Sequence, residues 1–113
     1  MIRKRKYNNK IIYHKGLKFD SKKEFNHYLK LEDDLKNGKI KDFLFQVPFK
    51  YCINSKWIFT YNADFVITTL EGFKIVQDVK GIDKKTGKAI TTSLFNLKKK
   101  IIQEHYKIKI EIV

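Results

Sequence analysis

The sequence is poor in the residues that staple or punctuate a chain: among 113 residues there is one cysteine, one proline and only five glycines. A lone Cys52 forms no internal disulfide and no zinc site, which excludes disulfide scaffolds and zinc fingers. No apolar run approaches the ~20 residues that a membrane-spanning helix needs. The basic opening Met1-Ile2-Arg3-Lys4-Arg5-Lys6 leads into no apolar stretch, so it does not read as a secretory signal. A reduced, cytoplasmic, single-domain protein without a membrane partner is expected. Acidic residues are scarce as well: 12 Asp and Glu stand against 25 Lys and Arg, a formal net charge of +13.

Hydrophobic residues make up 42% of the chain and aromatic ones 14%, enough for a packed core despite the charge. The charge is uneven. Residues 1–23 carry Arg3, Lys4, Arg5, Lys6, Lys10, Lys15, Lys18, Lys22 and Lys23 against the single acid Asp20. Tyr7, Asn8, Asn9 and Tyr13 interleave with these bases and suit phosphate contacts or base stacking. A field of one sign on so small a domain points to a polyanion, with nucleic acid the natural partner. An anionic membrane surface fits less well, since no basic helix has a clean apolar face opposite. The competing reading of the arm is a solvated tail that only aids solubility.

Residues 1–20 read as a basic arm, with a short strand pair around Lys10–Phe19, and residues 21–113 as the folded domain. Ser21-Lys22-Lys23-Glu24 is a capping-box pattern, so a helix is predicted from Ser21. Phe25, Tyr28, Leu29, Leu31 and Leu35 recur at helical spacing until Asn37-Gly38. Three strands follow over Ile40–Ile53, Trp57–Thr69 and Phe73–Lys80, the first marked by Pro48 as an edge or bulged strand. Residues 81–90 read as a mobile basic loop. A second helix, capped by Thr91, Thr92 or Ser93, is predicted to bury Leu94, Leu97 and Ile101. A last strand over Lys107–Val113 completes a mixed α/β (α+β) domain in the order αβββαβ.

The strand pattern carries a geometric consequence. Trp57, Phe59, Tyr61, Ala63, Phe65 and Ile67 are apolar and odd-numbered, as are Phe73, Ile75 and Val79. Paired residues of an antiparallel hairpin share a face, so odd positions should meet odd ones. A three-residue turn at Leu70-Glu71-Gly72 then sets Asp64 opposite Asp78 and Asn62 opposite Lys80. Like charges paired across a ladder repel, and a divalent cation removes the penalty. Mg²⁺ (or Mn²⁺), which binds through one or two carboxylates plus waters and phosphate oxygens, suits this pair. The Val79 carbonyl is a further candidate ligand, and Lys80 a compact cation able to orient water or stabilise charge on a scissile phosphate. Glu24 shares a helical stripe with Tyr28, Leu31 and Leu35, which makes it either a third metal carboxylate or simply the reciprocal cap of Ser21.

The segments Tyr61-Asn62-Ala63-Asp64-Phe65 and Gln77-Asp78-Val79-Lys80-Gly81 resemble the bipartite signature of the PD-(D/E)XK nuclease superfamily. More narrowly, the chain resembles its small phage-encoded, Holliday-junction-resolvase-like endonucleases. Arg5-Lys6-Tyr7-Asn8-Asn9-Lys10, Phe19-Asp20-Ser21-Lys22-Lys23-Glu24 and Leu97-Lys98-Lys99-Lys100-Ile101 share in the likeness. Phe45-Gln46-Val47-Pro48 is similar to a Gln-then-Pro strand of transposon end-cutting nucleases. The resemblance implies a restriction-endonuclease-like αβββαβ core and Mg²⁺- or Mn²⁺-dependent hydrolysis of DNA phosphodiesters. Branched DNA in phage recombination or replication is the implied substrate, and a homodimer the implied assembly. It also implies that Asp64, Asp78 and Glu24 ligate metal, that Lys80 is the catalytic lysine, and that Lys98 is a basic helper on the second helix. Ala63 stands where the superfamily name has Pro, and Gln77 where close relatives often carry Glu.

Outside that constellation, Lys84, Lys85, Lys88 and Lys100 are candidate phosphate contacts, though the lysine run 98–100 also reads as a solvated face. His14, His27 and His105 lack metal spacing, Cys52 has no partner for nucleophilic chemistry, and Trp57 reads as core. The alternatives to a nuclease are a non-catalytic DNA-binding module that keeps the fold and a structural basic protein associated with RNA.

Overall fold

The computed structural model describes residues 10–113. Ser21 opens the first helix as its motif predicts: its backbone is extended and its hydroxyl accepts the Glu24 N–H at 3.1 Å. The elements run β1 (Ile12–His14), β2 (Leu17–Phe19), α1 (Lys22–Lys36), β3 (Asp42–Ile53), β4 (Lys56–Thr68), β5 (Lys74–Asp78), α2 (Ser93–Tyr106) and β6 (Ile110–Ile112). The protein is thus mixed α/β. One sheet has the order β3-β4-β5-β6, with β6 parallel to β5 after the α2 crossover and the other pairs antiparallel. Pro48 sits on β3, an edge strand, where its missing N–H leaves no inner ladder broken.

The expected strand pair before α1 is present as the β1–β2 hairpin. Phe19 at its end is wholly buried, its ring 5.3 Å from that of Phe25, 5.0 Å from Tyr28 and 4.7 Å from Phe45. The part of the 1–20 arm that is described therefore packs on α1 and β3; residues 1–9 lie outside the described residues.

The helices cover opposite faces of the sheet. Adjacent residues of β5 show it: Ile75 packs in the cluster of Leu31, Phe65 and Ile67 on the α1 side, and Val76 in that of Tyr61, Ala63 and Ile102 on the α2 side. Odd-numbered residues of β4 and β5 pair with odd-numbered ones as predicted, but such residues do not keep to one face along β3 and β4. Phe43 and Phe45 face α1 while Val47, Phe49 and Tyr51 face α2, and on β4 Phe65 and Ile67 face α1 while Tyr61 and Ala63 face α2. Both strands change face at one level, between Gln46 and Asp64. There Gln46 adopts φ 57, and the ladder pairs Phe45 with Phe65 and Val47 with Ala63 but omits the pair between. A left-handed non-glycine residue costs about 1–3 kcal/mol and breaks strand alternation.

Other expectations are corrected. In α2 the stripe packed on the sheet is half-buried Phe95 and buried Ile102, whereas Leu94 is 60% and Leu97 57% exposed; Thr92, one of the three predicted caps, opens the helix. Trp57, expected in the core, is 63% exposed beside the turn that joins β3 to β4. Residues 81–90, expected as a mobile loop, form a hydrogen-bonded hairpin. Its Ile82 bridges Ala89, and Asp83 N–H donates to the Lys88 carbonyl at 2.8 Å. Gln77, the polar exception in β5, is buried on the α1 side. His27 Nε2–H donates to its carbonyl at 2.7 Å, and its amide donates to Glu111 at 3.0 Å.

If the β1–β2 hairpin belongs to the folded body, Phe19→Ala is expected to destabilise the protein by about 3–5 kcal/mol, the usual cost of emptying a buried phenylalanine site. Urea denaturation measures it; an unchanged midpoint would show that the hairpin adds nothing to stability.

Candidate active site

The β4–β5 register is the one the turn at Leu70-Glu71-Gly72 predicts. Pairing runs from Thr68 with Lys74 to Phe65 with Gln77, which sets Asp64 and Asp78 at the next rung. The ladder ends there. Val79 N–H turns to donate to Asp64 Oδ2 at 2.8 Å, and Lys80 N–H bonds the Val113 carbonyl at 3.1 Å. Lys80 therefore does not pair with Asn62, as the extended ladder predicted. It leaves β5 beside β6, and its Nζ returns to within 3.7 Å of Asp78 Oδ2. The ring of Phe95, 4.0 Å below that ammonium, holds it by cation–π attraction, and Lys23 Nζ fixes the Lys80 carbonyl at 2.6 Å.

A cavity of about 960 Å³ opens at this end of the sheet. Glu24, Gln46, Tyr61, Asp64, Asp78, Val79, Lys80 and Lys98 line it, as do the N-caps of both helices, Ser21 and Thr92. Helix N-termini favour anions, and lysines 10, 22, 23, 80 and 98 rim the same space. Lys98 Nζ lies 5.5 Å over the Phe59 ring. Lys84, Lys85, Lys88 and Lys100 are exposed and do not line the cavity. Arg3, Lys4, Arg5 and Lys6 lie outside the described residues.

Each carboxylate is held by a named partner. Tyr61 O–H donates to Asp78 Oδ2 at 2.7 Å in a buried contact. Glu24 does not return to cap Ser21: its Oε1 accepts Gln46 Nε2 at 3.3 Å, and the same amide nitrogen stands 3.5 Å from Asp64 Oδ1. Burial, with Asp20 and Asp78 nearby, pushes the Glu24 carboxyl up to about 7 against the pull of the Gln46 hydrogen bond. Burial, reinforced by Asp78, raises Asp64 far above the usual carboxylate range, opposed by the Val79 N–H. Burial and Asp78 raise the Tyr61 phenol likewise, so it stays a hydrogen-bond donor.

Among the described residues no three His, Cys, Asp or Glu side chains are placed to grip a metal ion together as they stand. The donor chemistry nevertheless fits a hard cation. The available groups are oxygens, and Glu24 Oε1 and Asp64 Oδ1 address a single point from two different elements. Of Val79, the N–H is engaged, on Asp64. Sequence reasoning gave no role to Tyr61, Phe95 or Gln46. Tyr61 and Gln46 lie within the conspicuous segments Tyr61-Asn62-Ala63-Asp64-Phe65 and Phe45-Gln46-Val47-Pro48, whereas Phe95 carried no visible signal.

A family model described as "Protein of unknown function (DUF1064)" matches residues 4–112, and the chain belongs to that family. No curated protein and no solved structure matches it. Among the described residues no helix is long and apolar enough to cross a membrane.

A carboxyl whose folded pKa exceeds its unfolded value binds its proton more tightly in the folded state, so its contribution to stability falls as pH rises through that interval. For Glu24 the interval runs from 4.5 to about 7. Glu24→Gln mimics the protonated form, so without added divalent cation its stability relative to wild type is expected to improve between pH 5 and pH 8. Denaturation of both proteins in EDTA at the two pH values checks this; a difference that does not change with pH would contradict it.

Proposed function

We propose that this protein is a divalent-cation-dependent endonuclease of the PD-(D/E)XK type, with a restriction-endonuclease-like core, that hydrolyses DNA phosphodiesters. The observation that carries the reading is the adjacency of Asp64 and Asp78 at the end of the β4–β5 ladder, with Glu24 and Lys80 on the same cavity. That pairing is unfavourable for folding alone and gains a purpose when a cation and a phosphate share the site. Glu24, Asp64 and Asp78 would hold Mg²⁺ or Mn²⁺, which supplies a Lewis acid for the phosphate and lowers the pKa of water.

The chain's own groups then have separable tasks. Tyr61 and Lys80 both engage Asp78 Oδ2 and hold that carboxyl in place. The Lys80 ammonium, steadied by Phe95, neutralises charge that grows on the phosphate oxygens. The two helix N-termini and lysines 10, 22 and 23 bind the DNA backbone around the scissile group. In the reaction the oxygen of one water bonds to phosphorus as the bond to a deoxyribose oxygen breaks. One of the water's protons ends on that leaving oxygen and the other on the new phosphate.

By the sequence resemblance the substrate is branched DNA met during phage recombination or replication in the host cytoplasm. A homodimer would bring two such sites to one junction. A second reading is a DNA-binding module without catalysis, since among the described residues no trio of ligands is gathered in advance.

A gel assay separates the two readings. The protein is offered a four-way junction, a fork, plain duplex and single strand with Mg²⁺ or Mn²⁺. Cleavage of the branched substrates is expected. Asp78→Ala and Lys80→Ala should each lower it by on the order of 10²–10³-fold while DNA binding persists. Undiminished cutting by Asp78→Ala would reject the site, and binding with no cleavage under either ion would favour the module.

A further inference from the structure

Gln46 is the residue around the cavity that packing accounts for least. Its backbone lies at φ 57, a region that non-glycine residues rarely occupy. It falls where the β3–β4 ladder omits a pair, at the change of face that lets the ribbon serve both helices, and that break asks for the backbone conformation but for no particular side chain. What the conformation achieves is the position of the side chain. The amide nitrogen stands 3.3 Å from Glu24 Oε1 and 3.5 Å from Asp64 Oδ1, between oxygens of a helix and of a strand. Both contacts are longer than a good N–H···O bond, so the amide spans a gap that it does not fill. A small dication at that point would satisfy both oxygens better than a neutral N–H₂ group. The other end of the same carboxamide is a carbonyl oxygen, a donor that Mg²⁺ and Mn²⁺ accept.

We propose that Gln46 keeps the place of the cation and then serves as its neutral ligand. The amide nitrogen bridges Glu24 and Asp64 before the ion arrives; the ion takes that point, and the side chain turns its Oε1 onto it. This rests on the cation-dependent reading above and adds to it a fourth protein ligand, from β3. A neutral ligand is suited to the position. Three carboxylates already exceed the charge of one dication, and a fourth would hold the ion more tightly while repelling the phosphate that must join it.

The test is Mn²⁺ binding to the DNA-free protein, followed by the electron paramagnetic resonance signal of the free ion. Gln46→Gly keeps the left-handed backbone and removes only the carboxamide, so a purely conformational role would survive it. It is expected to weaken Mn²⁺ binding about tenfold. Gln46→Glu should tighten binding by about the same factor through its added charge. In the wild type, the side-chain ¹H–¹⁵N signals of Gln46 should shift when Mg²⁺ is added. Wild-type affinity in Gln46→Gly, or Gln46 signals unmoved while Mg²⁺ binds, would overturn the inference and leave the metal site standing. Mn²⁺ binding by the wild type that Asp78→Ala does not weaken would instead remove the site itself, and this role of Gln46 with it.

Discussion

The change of face of the β3–β4 ribbon at Gln46 and Asp64 is the constraint on which the site depends. On one side of that level the ribbon gives Phe43, Phe45, Phe65 and Ile67 to the α1 core; on the other it gives Val47, Phe49, Tyr61 and Ala63 to α2. A regular ribbon could serve only one helix with its odd-numbered apolar residues. The break lets one pair of strands feed both cores and leaves a polar rung between them. Asp64 is on that rung, next to the point where β5 ends and Val79 turns aside. The site occupies the seam where the two hydrophobic layers hand over.

Polar satisfaction at the seam is nearly complete, which is how a folded chain tolerates acids there. Among the described residues no buried side-chain nitrogen or oxygen lacks a hydrogen-bond partner. Tyr61 supplies Asp78, Val79 supplies Asp64, and Gln46 supplies Glu24. These donors satisfy geometry without matching charge, and Lys80 is the cation seen within 4.0 Å of Asp78. Burial therefore favours the protonated form of Glu24 and Asp64, and anything that brings positive charge competes with those protons.

Much of this was legible in the sequence because it depended on local rules. The capping box placed Ser21 and Glu24, and the three-residue turn at Leu70–Gly72 set the β4–β5 register that neighbours Asp64 with Asp78. What could not be read depended on one residue's backbone or on distant packing. The left-handed Gln46 carries none of the glycine that usually marks such a conformation, so a uniform odd-numbered face was the natural expectation. The α2 stripe was misplaced because Leu94 and Leu97 are as apolar as Phe95 and Ile102, and the sheet beneath decides which pair packs on it. Lys80 was assigned to a ladder that had already ended, since nothing in Val79-Lys80-Gly81 announces that its N–H will go to β6.

The electrostatics of the whole chain and of the site have opposite signs, and that opposition bears on the proposed chemistry. A chain of net charge +13 draws a polyanion from any direction, yet the three carboxyl groups gathered at one cavity repel a phosphate at short range wherever they ionise. Screening makes the long-range attraction sensitive to salt, while the buried acids are screened much less. The helix N-termini at Ser21 and Thr92 and the Lys80 ammonium offset part of the local repulsion, but none of them lies between Glu24 and Asp64. A group of higher positive charge at the Gln46 amide would reverse the sign there. Under the proposed function, binding of a nucleic-acid backbone elsewhere on the protein would proceed without a cation, whereas approach of one phosphate to Asp64 and Asp78 would call for one. That reading would place affinity and chemistry under different control, the first by the lysines and the second by the ion.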